Sequence, residues 1–278
     1  MEDMTIGKQT HFQDVIAHYE QADEDSRLEA GWFRLEFART KDLILRHLPP
    51  VPSLVLDVGG GSGVYAGWLA TLGYEVVLVD PVPKHIEQAL KRSRNQERAI
   101  ARIQVGDARK LHQDDDSVDC VLLLGPLYHL TEARERLICL KEAFRVLRTG
   151  GILFAVAISR YASLVDSLLH GFFDAADFTS ILENDLRNGQ HRNPTGKLDY
   201  FTTAYFHRPE ELVNELARAG FKLEKLAAIE GPGWMAKDFD RLWRDVVQRE
   251  RLLRYIRTLE YAPELVGASP HFMAIARK

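Results

Sequence analysis

At 278 residues, 46% hydrophobic and 27% charged, the chain has the composition of one large folded core with an appended cap, and is not disordered by composition. A formal net charge of −4, without a long Lys/Arg block, argues against broad electrostatic binding to nucleic acid or to anionic membranes. The only cysteines, Cys120 and Cys139, lie on apolar patterns and argue against a disulfide framework or a zinc site. No window is apolar for the length that spanning a bilayer needs, and "MEDMTIGKQTHFQDV" lacks a signal-peptide run, so a cytoplasmic location is expected.

Residues 1–48 read as an N-terminal helical cover: two amphipathic patterns over 10–48 end at the proline punctuation of "RHLPPVPS". From Val51 to about Ser159, strand-like and helix-like segments alternate. Strands are expected at Leu54–Val58, Glu75–Asp80, Ala101–Val105, Val118–Leu124 and Ile152–Ile158, with helices at Val64–Leu72, Lys84–Arg98 and Ala133–Leu147. The last helix is expected to stop at "RTGG", on Gly150 and Gly151. Strands this rich in Val, Ile and Leu are covered on both faces, which predicts an α/β fold with a doubly wound parallel sheet. Residues 160–206 read as an inserted cap whose polar stretch "NGQHRNPTGKLDY" is expected to be mobile. The core is therefore placed at 49–159 and 207–278.

The first strand runs into "DVGGGSG", residues 57–63. Glycines here let backbone turn tightly and approach a ligand, and the helix that follows offers free N–H groups. A dinucleotide pyrophosphate is the usual occupant, through GxGxxG, but Gly59, Gly61 and Gly63 give GxGxG instead. Asp57, directly before the turn, would repel a pyrophosphate and attract an ammonium group. The ligand indicated is zwitterionic, with an amino acid end.

Asp57 followed by Gly59, Gly60 and Gly61 resembles the first motif of the class I S-adenosylmethionine-dependent methyltransferases, in particular the small-molecule "type 11"-like group. Further matches keep register: "VVLVD" ends in Asp80, 80 − 57 = 23 residues after Asp57; "VGDARKL" holds Asp107; and "LLLGPLYHL" follows the fourth strand. The resemblance implies a Rossmann-like seven-stranded sheet with an antiparallel last strand from "PHFMAIARK", a helical cover and a helical insertion. It implies S-adenosyl-L-methionine as cofactor and S-adenosyl-L-homocysteine as product. By the same resemblance Asp80 accepts the ribose hydroxyls with Pro81 beside it, Asp107 and Ala108 meet adenine, and Leu124 and Gly125 border the methionine part.

From the helical cover, Arg34 or Arg39 is expected to pair with the cofactor carboxylate, and Tyr19 to wall the methionine chain. Tyr128 and His129 follow the turn after the fourth strand, at the edge where open α/β sheets bind ligands, so both are expected at the reacting centre. His129 is the expected base, because an ordinary imidazole titrates near neutrality. Tyr161, Phe172, Phe173, Tyr200, Phe201, Tyr205, His207 and Trp234 are candidate walls for an acceptor. No Asp, Asn and His cluster marks a metal site, and no metal is expected.

The function expected is methyl transfer to an oxygen, nitrogen or carbon of a small molecule. Two other readings are a methyltransferase acting on modified nucleosides of tRNA or rRNA, disfavoured by the mild acidity, and a non-catalytic cofactor-binding subunit that activates a partner.

Overall fold

The computed structural model describes residues 13–22, 27–28 and 30–278. The five apolar runs become β1 (Leu54–Val58), β2 (Glu75–Asp80), β3 (Arg102–Val105), β4 (Val118–Leu123) and β5 (Leu147–Ile158). They pair in parallel, and the sheet is completed by β8 (Lys222–Ala228) and β9 (His271–Arg277), after a two-residue pair β6 (Gln190–His191) and β7 (Ala204–Tyr205) that stands apart. The seven strands run in the order β3-β2-β1-β4-β5-β9-β8, with β9 antiparallel to both neighbours. This is the seven-stranded Rossmann-like sheet the resemblance implied.

Alternation along each strand explains the two layers. Val55, Val76, Leu78 and Leu122 face one side and pack on α1 (Phe33–Leu45), α2 (Val64–Thr71) and α3 (Pro83–Arg94), through residues such as Leu43, Leu69 and Ala89. Leu56, Val77, Val121 and Leu123 face the other, against Cys139, Leu140 and Ala143 of α5 (Ala133–Val146), which follows the single-turn helix α4 (Pro126–His129). Both cysteines are free and buried in these layers. The outer strands carry more polarity: Arg102 on β3, and Lys222, Glu224 and Lys225 on β8, are exposed.

One expected boundary is corrected. Helix α5 ends at Val146 and the chain continues directly into β5, so "RTGG" does not stop a helix. Val118 pairs with Leu147 and Cys120 with Ile152, which leaves residues 148–151 as a bulge in the strand. Gly150 takes a φ of 80° there and donates its N–H to the Lys278 carbonyl at 3.0 Å.

The segment 160–206 holds α6 (Ala162–His170), α7 (Ala176–Asn188) and the β6/β7 pair, and α8 (Pro209–Ala219) follows it. Phe178, Ile181, Leu182 and Tyr200 give it a core of its own. The polar stretch expected to be mobile is tied down: His191 sits between Asp185 Oδ2 at 2.9 Å and the Tyr200 carbonyl at 2.7 Å. Asn193 donates to the Lys197 and Phe201 carbonyls, each at 2.7 Å. Residues 13–21 are helical, and among the described residues no helix is long and apolar enough to cross a membrane.

Candidate active site

Strand order reverses between β1 and β4, and a crevice opens beyond their carboxyl ends. Gly59 and Gly61 turn the chain with φ of 68° and 56°, values that side-chain-bearing residues rarely adopt. A Cβ on Gly60 would stand 2.8 Å from the Asp57 carboxyl and 2.9 Å from Leu78, so the turn closes on the acid only because that atom is missing. A Cβ on Gly61 would meet nothing within 4 Å, which leaves this backbone facing the crevice.

Two acids frame the turn. Asp80 Oδ2 accepts the Gly61 N–H at 2.9 Å and Oδ1 accepts the Val82 N–H at 2.9 Å, with His85 Nδ1 3.0 Å from the same oxygen. Asp57 is buried and its Oδ2 has no hydrogen-bond partner among the described residues. Burial, then the neighbouring Asp80, pushes its carboxyl up to about 7. A buried carboxylate oxygen left without a donor is costly, and a cationic N–H group from a ligand is what would satisfy it.

Asp57, Gly59, Gly60, Gly61, Asp80, Pro81, Asp107, Ala108, Leu124, Gly125, Tyr128, His129 and Tyr19 all line this one crevice. Residues 56–155 match the family model described as a methyltransferase domain. An uncharacterized methyltransferase of Mycobacterium tuberculosis is 36% identical over 104 residues, which span 37% of this chain and 39% of that protein. The ubiquinone biosynthesis O-methyltransferase of Azorhizobium caulinodans is 28% identical over 70% of this chain and 72% of its own. Among solved structures, an S-adenosylmethionine-dependent methyltransferase from Methanosarcina mazei is similar with a TM-score of 0.56 and 22% identity, over 84% of this chain and 96% of that one. An S-adenosylmethionine-dependent methyltransferase from Mesorhizobium loti gives a TM-score of 0.58 and 17% identity, over 88% of this chain and 100% of that one. These structures share the fold. Residues 56–155 are a methyltransferase domain, carried on the fold that these S-adenosylmethionine-dependent methyltransferases share.

The crevice fits S-adenosylmethionine, the cofactor that the resemblance implies. The unpaired Asp57 oxygen suits an ammonium group, the open Gly61 backbone admits close approach, and Asp80 stands at the end of β2 where a ribose would lie. Asp107 is already engaged: it accepts the Arg109 N–H at 2.8 Å and Arg109 Nη2 at 2.6 Å, while Arg109 Nη1 continues to Glu135 at 2.8 Å. Burial favours the neutral Asp107 carboxyl, but the Arg109 hydrogen bonds outweigh it and hold the carboxyl below its ordinary value.

His129 is half-buried against Tyr128, Phe201 and Tyr19, and the Tyr19 hydroxyl lies 2.7 Å from its Nε2. The expected near-neutral titration does not hold. Burial pushes this imidazole down to about 4, with the Thr203 carbonyl pulling the other way. It is therefore neutral at pH 7, with Nε2 already occupied by a tyrosine.

The arginine expectations are also corrected. Arg34 does not line the crevice; it pairs with Asp240 and with the Gly31 carbonyl at 2.9 Å. Arg39 is buried on Glu260, Asp42 and the Ile229 carbonyl. The arginine that lines the crevice is Arg27, which donates to Glu36 at 2.9 and 3.2 Å. Of the candidate acceptor walls, Phe172 and Tyr200 pack in the core of the insertion, Phe201 packs on His129, and Tyr205 stacks on Arg136. His207 is fully buried beside Glu215, Trp234 is buried against Trp32, and Tyr161 and Phe173 are exposed. None of these eight lines the crevice.

Residues missed in the sequence also line the crevice, among them Arg27, Glu36, Thr40, Tyr65, His85, Val156 and Ile229. Behind them Glu36, Glu230 and His271 bring a carboxylate oxygen each and a ring nitrogen within 4.8 Å of one another. They come from three distant elements, and no local spacing announces them. The one signal available was an acid and a histidine at matching strand ends, in "AAIEGPGW" and "SPHFMAIARK".

Proposed function

We propose that the protein transfers the methyl group of S-adenosylmethionine to an oxygen, nitrogen or carbon atom of a small-molecule acceptor, releasing S-adenosylhomocysteine. The observation that carries this reading is the unpaired, buried Asp57 oxygen set beside a glycine turn that is itself pinned by Asp80. In this reading Asp57 and the Gly59–Gly61 backbone hold the amino acid end, Asp80 and Pro81 the ribose, and Asp107 and Ala108 the adenine. Leu124, Gly125 and Tyr19 border the methionine chain.

Bound there, the cofactor supplies a methyl carbon on a positively charged sulfur, which is electrophilic without help from the protein. The chain has to hold the acceptor in line, exclude water and, for a protic acceptor, remove a proton. Tyr128 and His129 border the reacting centre, and His129, neutral and bonded to Tyr19, fastens the helical segment at 13–21 over it. The acceptor is assigned to the end lined by Thr40, Tyr65, Val156 and Ile229, and the insertion at 160–206 backs His129 through Phe201.

Calorimetry tests the cofactor half of the reading. Asp80→Ala is expected to weaken S-adenosylmethionine binding by about tenfold or more, that is about 1.4 kcal/mol; an unchanged affinity rejects the ribose role. Incubating the protein with methyl-labelled cofactor and a fractionated cell extract tests turnover and isolates the acceptor as the labelled product.

A further inference from the structure

We propose that His271 is the proton acceptor of the methyl-transfer reaction, held in its working orientation by Glu230; this assignment rests on the methyl-transfer reading above.

His271 opens β9 opposite Ile158 of β5, and its carbonyl accepts the N–H of Ile229, a residue of the crevice wall, at 3.1 Å. Glu230, next in the chain, is completely buried. Its Oε1 lies 2.7 Å from His271 Nδ1, while Oε2 accepts the Ser269 hydroxyl at 2.8 Å and the His271 backbone N–H at 3.1 Å. The Ser269 oxygen in turn accepts the Glu230 and Gly231 N–H groups at 3.1 and 3.0 Å. The carboxylate is thereby fixed in place, and the imidazole is fixed by it. With Nδ1 donating to Glu230, the lone pair belongs to Nε2, which has no hydrogen-bond partner among the described residues. The side chain keeps 13% of its surface exposed.

The charges around the ring suit a base. Glu230 and Glu36 face it, with Arg27 beyond Glu36 as the opposing cation. Burial disfavours the imidazolium, but the two carboxylates outweigh burial and Arg27, raising the imidazole above its ordinary value. His271 stands directly behind the crevice wall, its ring nitrogen within 4.8 Å of a carboxylate oxygen of Glu36, which lines the crevice; His129, on the lining itself, is displaced in the opposite direction, so His271 is the stronger base of this pair. Each carboxylate oxygen of Glu36 and Glu230 already accepts from a protein donor, so the cluster is assembled as an oriented imidazole rather than an ion cage.

In the reaction, an acceptor X–H gives its proton to His271 Nε2 as the X–H electron pair forms the bond to the methyl carbon. The methyl–sulfur bond breaks with its electrons to sulfur, turning a sulfonium into a neutral thioether. The imidazolium returns its proton to solvent after product leaves.

The test uses the full chain, methyl-labelled S-adenosylmethionine and the extract fraction that wild type labels, over a range of pH. His271→Asn is expected to lower kcat by about 100-fold or more, while S-adenosylhomocysteine affinity by calorimetry stays unchanged. Glu230→Gln is expected to move the acidic limb of the kcat profile to lower pH, because the ring loses the carboxylate that favours its protonation; a purely structural role would leave that limb in place. A His271→Asn enzyme within threefold of wild type, or a Glu230→Gln limb that does not move, overturns the assignment and leaves methyl transfer standing. A wild type that labels no fraction overturns the methyl-transfer reading itself.

Discussion

Asp57 shows how a binding residue is bound to cost the empty protein something. Its ordinary value is 3.8 and the fold raises it to about 7. Between those values the unfolded chain gives up a proton that the native chain keeps, so native stability falls as pH rises through this window and the loss is complete above it. Asp57→Asn has no such term. The variant is expected to melt at or above the wild-type temperature at pH 8, with the advantage disappearing near pH 4, while its S-adenosylmethionine affinity drops by about tenfold or more. Thermal melts at the two pH values, paired with calorimetry, check both halves. The acid and its glycines were legible in the sequence because a turn of this kind is built from neighbours in the chain. The missing partner of Asp57 was not, since burial is a property of everything packed around it.

At the level of elements, the alternating apolar runs disclosed the strands of the parallel core, because strands sandwiched between helices cannot afford polar residues. What escaped notice were joints. The bulge at 148–151 and the single turn of α4 depend on partners at Lys278 and in the insertion, far away in sequence. One such joint, Arg136 of α5, is 2% exposed and donates to Glu215 of α8 at 2.7 and 2.9 Å and to the carbonyls of Leu130 and Thr131 at 2.9 Å. Its guanidinium also lies 3.7 Å from the centre of the Tyr205 ring. It therefore ties the turn carrying His129 to both α8 and β7. Arg136→Ala strands Glu215 in a buried place, which is expected to destabilise the protein by about 3–5 kcal/mol. Denaturant titration reads this as a lower midpoint.

Across the whole molecule, the crevice draws on residues from Val15 to Ile229, so a ligand filling it bridges the helical cover, the glycine turn and the last strands. S-adenosylhomocysteine at 100 times its dissociation constant is expected to stabilise the fold by about 2.7 kcal/mol, a rise in melting temperature of about 5 °C for a chain of this size. Scanning fluorimetry measures the rise, and Asp80→Ala at the same ligand concentration should show less of it. The part of this crevice around the glycine turn could be read from local motifs, whereas the wall at Ile229 is assembled only when β8 and β9 return to the sheet. The same return leaves β3 and β8 as the two flanks, one only four residues long and the other lined with Lys222, Glu224 and Lys225. Short or charged margins discourage a neighbour's backbone from annealing to them, so crowded copies of this protein should resist growing into continuous intermolecular ribbons.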